Sequence, residues 1–164
     1  MLPAYYPLDE RLPADLDDPY SLSKYTDERT AEMAYRHWGI DVVALRFPLT
    51  AAHDTLVEHA RRAVEDPRHG AKEGWSYLDA RDAARAVELS LLATTRGAHP
   101  VFVAADTTLM PYPTEDLLDR HGRDRPRLRR FVGREVPIDL TLARTLLGFR
   151  AEHPLDIAAA HLPA

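Results

Sequence analysis

Helices alternate with short apolar runs along this chain, an order that predicts an α/β fold with parallel strands joined by right-handed crossovers. Three observations carry the prediction. "DVVALRF" at residues 41–47 and "PVFVAAD" at 100–106 are apolar runs without strict alternation, the pattern of strands covered on both faces. Segments with helical start and stop signals surround them. The chain has 164 residues, one domain's worth and enough to bury a real core.

Taken in order, residues 1–18 are rich in proline and acid, show no period, and read as an exposed loop. Asp18 suits an N-cap and Pro19 the first helical position, where its missing N–H is not needed. That helix should run to about Trp38 and stop at Gly39. The strand at 41–47 follows, ended by Pro48, and then a helix over 53–65 before the turn "DPRHG". "WSYLD" is short and extended. "ARDAARAVELSLLATT", from Ala80, has the strongest helical character, with Ala83, Val87 and Leu91 on one face and Gly97 as its stop. The second strand comes next, then short helices in "TEDLLDRHG", opened by Thr114, and in "PIDLTLARTLLGF", ended by Gly148. Residues 1–164 read as a single domain, divided into the loop at 1–18, strands and helices over 19–110, and a smaller region at 111–164. Only two strands stand out, too few for a complete doubly wound sheet.

Composition excludes several classes. There is no cysteine, so no disulfide scaffold or thiolate metal site is expected. The N-terminus lacks the basic and apolar regions of a signal peptide, and no apolar run reaches membrane-spanning length. A cytoplasmic protein is expected, with no membrane partner. The histidines are scattered, and His53 and His59 are not at same-face helical spacing, so no metal site is expected.

"PYSLSKYTDE" at 19–28 places Tyr20 and Lys24 one helical turn apart on one face. A free phenol titrates near pH 10, too high for proton transfer near neutrality. An ammonium one turn away stabilises the phenolate. Such a tyrosine can exchange a proton with a substrate oxygen, which is general acid–base catalysis.

The same stretch resembles the active-site helix of the extended short-chain dehydrogenase/reductase superfamily, the NAD-dependent epimerase/dehydratase group. The family pattern P-Y-x-x-S-K-x-x-x-E is matched by Pro19, Tyr20, Ser23, Lys24 and Glu28. "PLDERLPADLDD" is similar to the loop leading into that helix, and "VVALRFPLT" to the strand after it. "YLDARDAARAVELSLLA" resembles a further family segment through Tyr77, Asp79, Arg81, Asp82, Ala84 and Ala86. "VFVAAD" and "DLTLARTLLGFRAEHPL" resemble the next strand and the closing segment, so the ordered likeness spans residues 7 to about 155. The resemblance implies the C-terminal portion of a Rossmann-like doubly wound fold with its small substrate-binding region. It makes Tyr20 the proton donor or acceptor and Lys24 the ligand of the nicotinamide ribose. Pro48 would border the nicotinamide of NAD or NADP. Asp82 reads as structural, a cap or loop anchor.

In that family a glycine-rich turn in the N-terminal half cradles the cofactor pyrophosphate. The glycines here, at 39, 70, 74, 97, 122, 133 and 148, form no G-x-G-x-x-G. Ser21 and Ser23 lie on the helix and cannot replace a serine from a neighbouring strand. Three readings follow: a fragment of an oxidoreductase, a half-protein that pairs with a separate Rossmann half, or a repurposed relative serving binding or nicotinamide-independent chemistry. A homodimer or a pairing with such a half is expected, because the strand at 42–47 would otherwise present an open edge.

Residues 120–134, "RHGRDRPRLRRFVGR", hold seven arginines against one aspartate. The chain as a whole carries −5, and Phe131 is the one aromatic within the stretch, which argues against nucleic acid. Beside a solvated loop, the other reading is bidentate binding of a substrate diphosphate, as in sugar-nucleotide enzymes, through Arg127, Arg129 and Arg130.

Overall fold

The structure is a computed structural model that describes residues 2–122 and 124–162. Its first helix, α1 (Pro19–Trp38), begins and ends where the sequence signals place it. Asp18 accepts the backbone N–H of Ser21 at 2.9 Å, and Gly39, at φ +67°, returns its N–H to the Tyr35 carbonyl. A side chain at that left-handed position would be strained, so glycine ends the helix.

Strand β1 (Val42–Arg46) follows, then β2 (Leu49–Ala51), α2 (His53–Glu65) and a 3-10 turn at Pro67–Glu73. Next come β3 (Tyr77–Asp79), α3 (Ala80–Leu92) and β4 (Ala98–Phe102). The short helices α4 (Thr114–His121) and α5 (Thr141–Leu147) complete the order. No helix among the described residues is long and apolar enough to cross a membrane.

The strands form two parallel pairs. β1 runs beside β4 with Val42 opposite Ala98 and Arg46 opposite Phe102, and β2 runs beside β3 with Leu49 opposite Tyr77. The chain after β4 links the pairs, because Val103 donates to the Arg46 carbonyl and Ala105 to the Tyr77 carbonyl. The predicted parallel α/β order is therefore present. A buried cluster of Leu78, Ala86, Val101, Val103, Leu147 and Phe149 lies under the sheet and α3, and a larger one gathers Tyr6, Trp75, Tyr77, Met110, Leu117 and Val136.

Several expectations need correction. Residues 6–9 are not an exposed loop. Tyr6 and Leu8 are buried, bridge to Arg127 and Ile138, and give their N–H groups to the carbonyls of Pro126 and Pro137. A remote segment supplies those acceptors, which no local pattern announces. α3 turns Asp82 and Ala86 inward, and of the apolar stripe the spacing suggests only Ala83 packs on the core, while Val87 and Leu91 are exposed. Gly97 is not the stop of α3, which ends at Leu92. It opens β4 instead, with its N–H on Asp41 Oδ1. β1 is half-buried throughout, and β2 was not foreseen because three residues are too few for a pattern.

Candidate active site

Tyr20 and Lys24 lie side by side in the first two turns of α1, with the Lys24 Nζ 5.8 Å from the centre of the Tyr20 ring. Tyr20 is 72% exposed, and no residue of α1 is buried. The phenol is therefore open to a substrate. Lys24 gives its ammonium to Asp27 Oδ2 at 2.8 Å, and this hydrogen bond, aided by the carboxylate charge, holds its pKa above the usual lysine value. An exposed pair of this kind is weak.

Both side chains line a cleft of about 290 Å³. The 12–15 loop forms one wall and Tyr20, Lys24, Tyr25 and Glu28 another, with Arg46 and Phe102 at the strand ends. Arg46 forks onto Glu28 through Nε at 2.7 Å and Nη2 at 2.8 Å, and its guanidinium stacks 5.1 Å from the Phe102 ring centre. Glu10 adds a further tie by accepting the Phe102 N–H at 2.9 Å. The sequence marked Glu28 as part of a motif but gave no sign of Arg46, which lies on another element.

Pro48 occupies the step between β1 and β2, and its carbonyl accepts the Thr50 hydroxyl at 3.0 Å. It does not line the Tyr20–Lys24 cleft. Arg127, Arg129 and Arg130 lie outside that cleft as well. Arg127 is held by Glu115 and Asp119, each at 2.6 Å, and Arg129 by Glu135 at 2.9 Å. Arg130 is exposed with no carboxylate partner among the described residues, and Arg123 of the same stretch lies outside the described residues. Two arginines of the run, Arg127 and Arg129, are thus neutralised by acids that flank it in sequence.

Asp82 anchors a loop, as expected: its carboxylate accepts the N–H groups of Glu152 and His153 at 2.9–3.0 Å. The cap of α3 is Asp79, which accepts the Arg81 N–H.

Solved structures share this architecture. The UDP-glucuronic acid 4-epimerase from Bacillus cereus, in complex with NAD, matches with a TM-score of 0.57 at 14% identity, over 90% of this chain and 51% of that one. RMD from Pseudomonas aeruginosa, complexed with NADPH, matches at 0.55 and 16% identity, over 88% of this chain and 55% of that one. A partial-consensus L-threonine 3-dehydrogenase matches at 0.56 and 17% identity, over 92% and 58%. Identities this low establish a common fold. The chain spans about half the length of these structures, in keeping with the expected portion of a larger doubly wound fold. No protein-family model and no curated protein matches the chain.

Proposed function

We propose that this chain carries the proton-transfer portion of an NAD(P)-dependent oxidoreductase of the extended short-chain dehydrogenase/reductase superfamily, of the epimerase, dehydratase or reductase kind. The observation that supports it most is the exposed Tyr20–Lys24 pair beside a cleft, on a fold shared with an epimerase and a dehydrogenase. Tyr20 Oη passes a proton to or from a substrate oxygen. Lys24 would hold the ribose hydroxyls of the cofactor in place of Asp27, and it stabilises the phenolate of Tyr20. Pro48, at the step after β1, would border the nicotinamide, which would supply or accept the hydride.

Of the groups such a cofactor needs, the ribose contact fits this chain and a pyrophosphate cradle does not. Gly39, Gly74 and Gly148, all at positive φ, are spent on closing helical turns. The grip on the pyrophosphate comes from a Rossmann half, within a longer chain or on a partner. The substrate is a sugar nucleotide or a similar hydroxy or carbonyl compound, the range that UDP-glucuronic acid 4-epimerase and threonine dehydrogenase suggest. A diphosphate bound by Arg127, Arg129 and Arg130 would have to displace Glu115, Asp119 and Glu135.

A second reading, a docking partner without catalysis, draws on α1 itself, which leaves Leu22, Met33 and Trp38 in solvent. Calorimetry and turnover assays separate the two. The 164-residue chain alone should bind NAD and NADPH negligibly. Adding a Rossmann half should restore binding and turnover, and Tyr20→Phe should then abolish turnover while sparing cofactor affinity. Micromolar NAD affinity without any partner would falsify the half-site reading, and full turnover by Tyr20→Phe would remove the tyrosine from the mechanism.

A further inference from the structure

Five arginines are half-buried among the described residues: Arg46, Arg85, Arg125, Arg127 and Arg134. Four have evident partners. Arg46 forks onto Glu28, Arg85 pairs with Glu152, and Arg127 takes Glu115 and Asp119. Arg134 donates to the carbonyls of Met110, Ile157 and Thr108 at 2.7–2.9 Å. Arg125 is different. Its Nε, like that of Arg85, is buried without a hydrogen-bond partner, but unlike Arg85 it pairs with no carboxylate among the described residues. Leaving a guanidinium half-desolvated and unpaired is costly, so its environment suits an anion that is brought in from outside.

Arg125 lines a cavity of about 350 Å³ whose other walls are mainly apolar, among them Leu2, Leu8, Leu12 and Phe102. Lys72 also lines it, but its ammonium is committed to Asp15 at 3.3 Å and Asp17 at 3.8 Å. Tyr6 does not serve as counter-ion either. Burial pushes its phenol up to about 12, against the pull of Arg125, and the hydroxyl donates to the Ala71 carbonyl at 2.6 Å. The cavity therefore offers one unanswered positive charge at the side of an apolar chamber. Volumes of this size take small organic molecules, which bury an apolar body and orient by a few polar contacts.

We propose that Arg125 and the cavity beside it form a binding site for a small organic anion, a carboxylate or phosphate monoester on an apolar body. The planar guanidinium holds the anion by parallel N–H···O bonds, and Leu8, Leu12 and Phe102 cover the apolar part. Leu12, Pro13, Ala14, Asp15 and Phe102 line both this cavity and the Tyr20–Lys24 cleft, so the ligand sits one wall away from the phenol. The site does not depend on the hydride-transfer reading. Its test needs neither nicotinamide nor a Rossmann half.

Calorimetry on the chain with hexanoate and with phenyl phosphate tests it, using hexanamide as the neutral probe. At least one anion should bind the wild type, and hexanamide should bind about tenfold more weakly or worse. Arg125→Gln should weaken the anion by about tenfold, while Arg61→Gln, at an exposed position of α2, leaves it within about twofold. Arg125→Lys, which keeps the charge, should retain most of the phenyl phosphate binding and serves if the glutamine variant folds poorly. Arg125→Gln should also melt no lower than wild type, because it removes an unpaired charge rather than a structural contact. Failure of both anions to bind at millimolar concentration overturns the proposal. So does equal binding of hexanamide, unchanged anion binding by Arg125→Gln, or loss of binding in Arg125→Lys. None of these results bears on Tyr20 turnover, so the two readings fail separately.

Discussion

Glu28 of α1 and Arg46 of β1 form a two-pronged ion pair, with Oε1 on Nε at 2.7 Å and Oε2 on Nη2 at 2.8 Å. Glu28 lies four residues beyond Lys24 and eight beyond Tyr20, so all three share one face of the helix. α1 buries no residue in this chain, which leaves this fork as a principal control on how the helix is rotated about its axis. Arg46→Met should cost about 1–3 kcal/mol, the range for breaking a partly buried pair. Hydrogen exchange should show α1 losing protection while α4 keeps it. Arg46→Lys should recover little, since an ammonium cannot reproduce the fork. Unchanged protection of α1 in Arg46→Met would mean that other contacts set the helix.

Acid should weaken the N-terminus of α3 through Asp79. Hydrogen bonds from the Arg81 side chain are the largest cause holding the Asp79 carboxyl down at about 2, with the Arg81 N–H and charge adding to them. A carboxylate with a depressed folded pKa stabilises the fold above its unfolded pKa of about 4 and loses that contribution as pH falls from about 4 to about 2. The exposed guanidinium is screened by solvent, so the contribution is about 1–2 kcal/mol. Urea titrations at neutral and acidic pH should show a smaller acid loss for Asp79→Asn than for wild type. Parallel pH dependence in the two proteins would remove Asp79 as the cause.

Gly70 should tolerate no side chain. A Cβ there would stand 2.2 Å from Trp75 Cδ1, and Trp75 is fully buried with its indole N–H on the Pro67 carbonyl at 2.7 Å. Gly70→Ala should therefore destabilise by about 1–3 kcal/mol, the usual cost of overpacking. A lower melting temperature together with a shifted tryptophan emission checks it. Wild-type stability in the variant would show that the turn at Pro67–Glu73 yields easily.

Assembly should follow from the open face. Among the described residues β1 is paired on one side only, and Leu22 and Met33, eleven residues apart, fall on the same side of α1 and are exposed. Light scattering at micromolar concentration should find a dimer or larger species. Leu22→Glu with Met33→Lys should shift it to monomer without lowering the melting temperature, since neither side chain is buried. A monodisperse wild-type monomer would contradict this expectation.

The bounds of α1 and α2, and those of β1 to within a residue, were legible in the sequence because their signals are local, whereas β4 (Ala98–Phe102) begins before the apolar run expected at 100–106 and ends inside it. Asp18, Pro19 and Gly39 act within one turn of their own positions, and the apolar runs at β1 and β4 stand out in strand-length windows. The Tyr20–Lys24 pairing was legible for the same reason, as helical spacing alone puts them on one face. What tertiary structure decided concerns partners outside a residue's own turn, some of them remote in the chain. Residues 6–9 looked like loop until Pro126 and Pro137 supplied acceptors for their N–H groups. Glu115, Asp119 and Glu135 neutralised arginines that a charge count read as free, whereas Arg125, in the same run, was left unpaired. A sequence fixes each residue's chemistry and helical phase, but the pairing of a charge depends on which distant segments fold beside it.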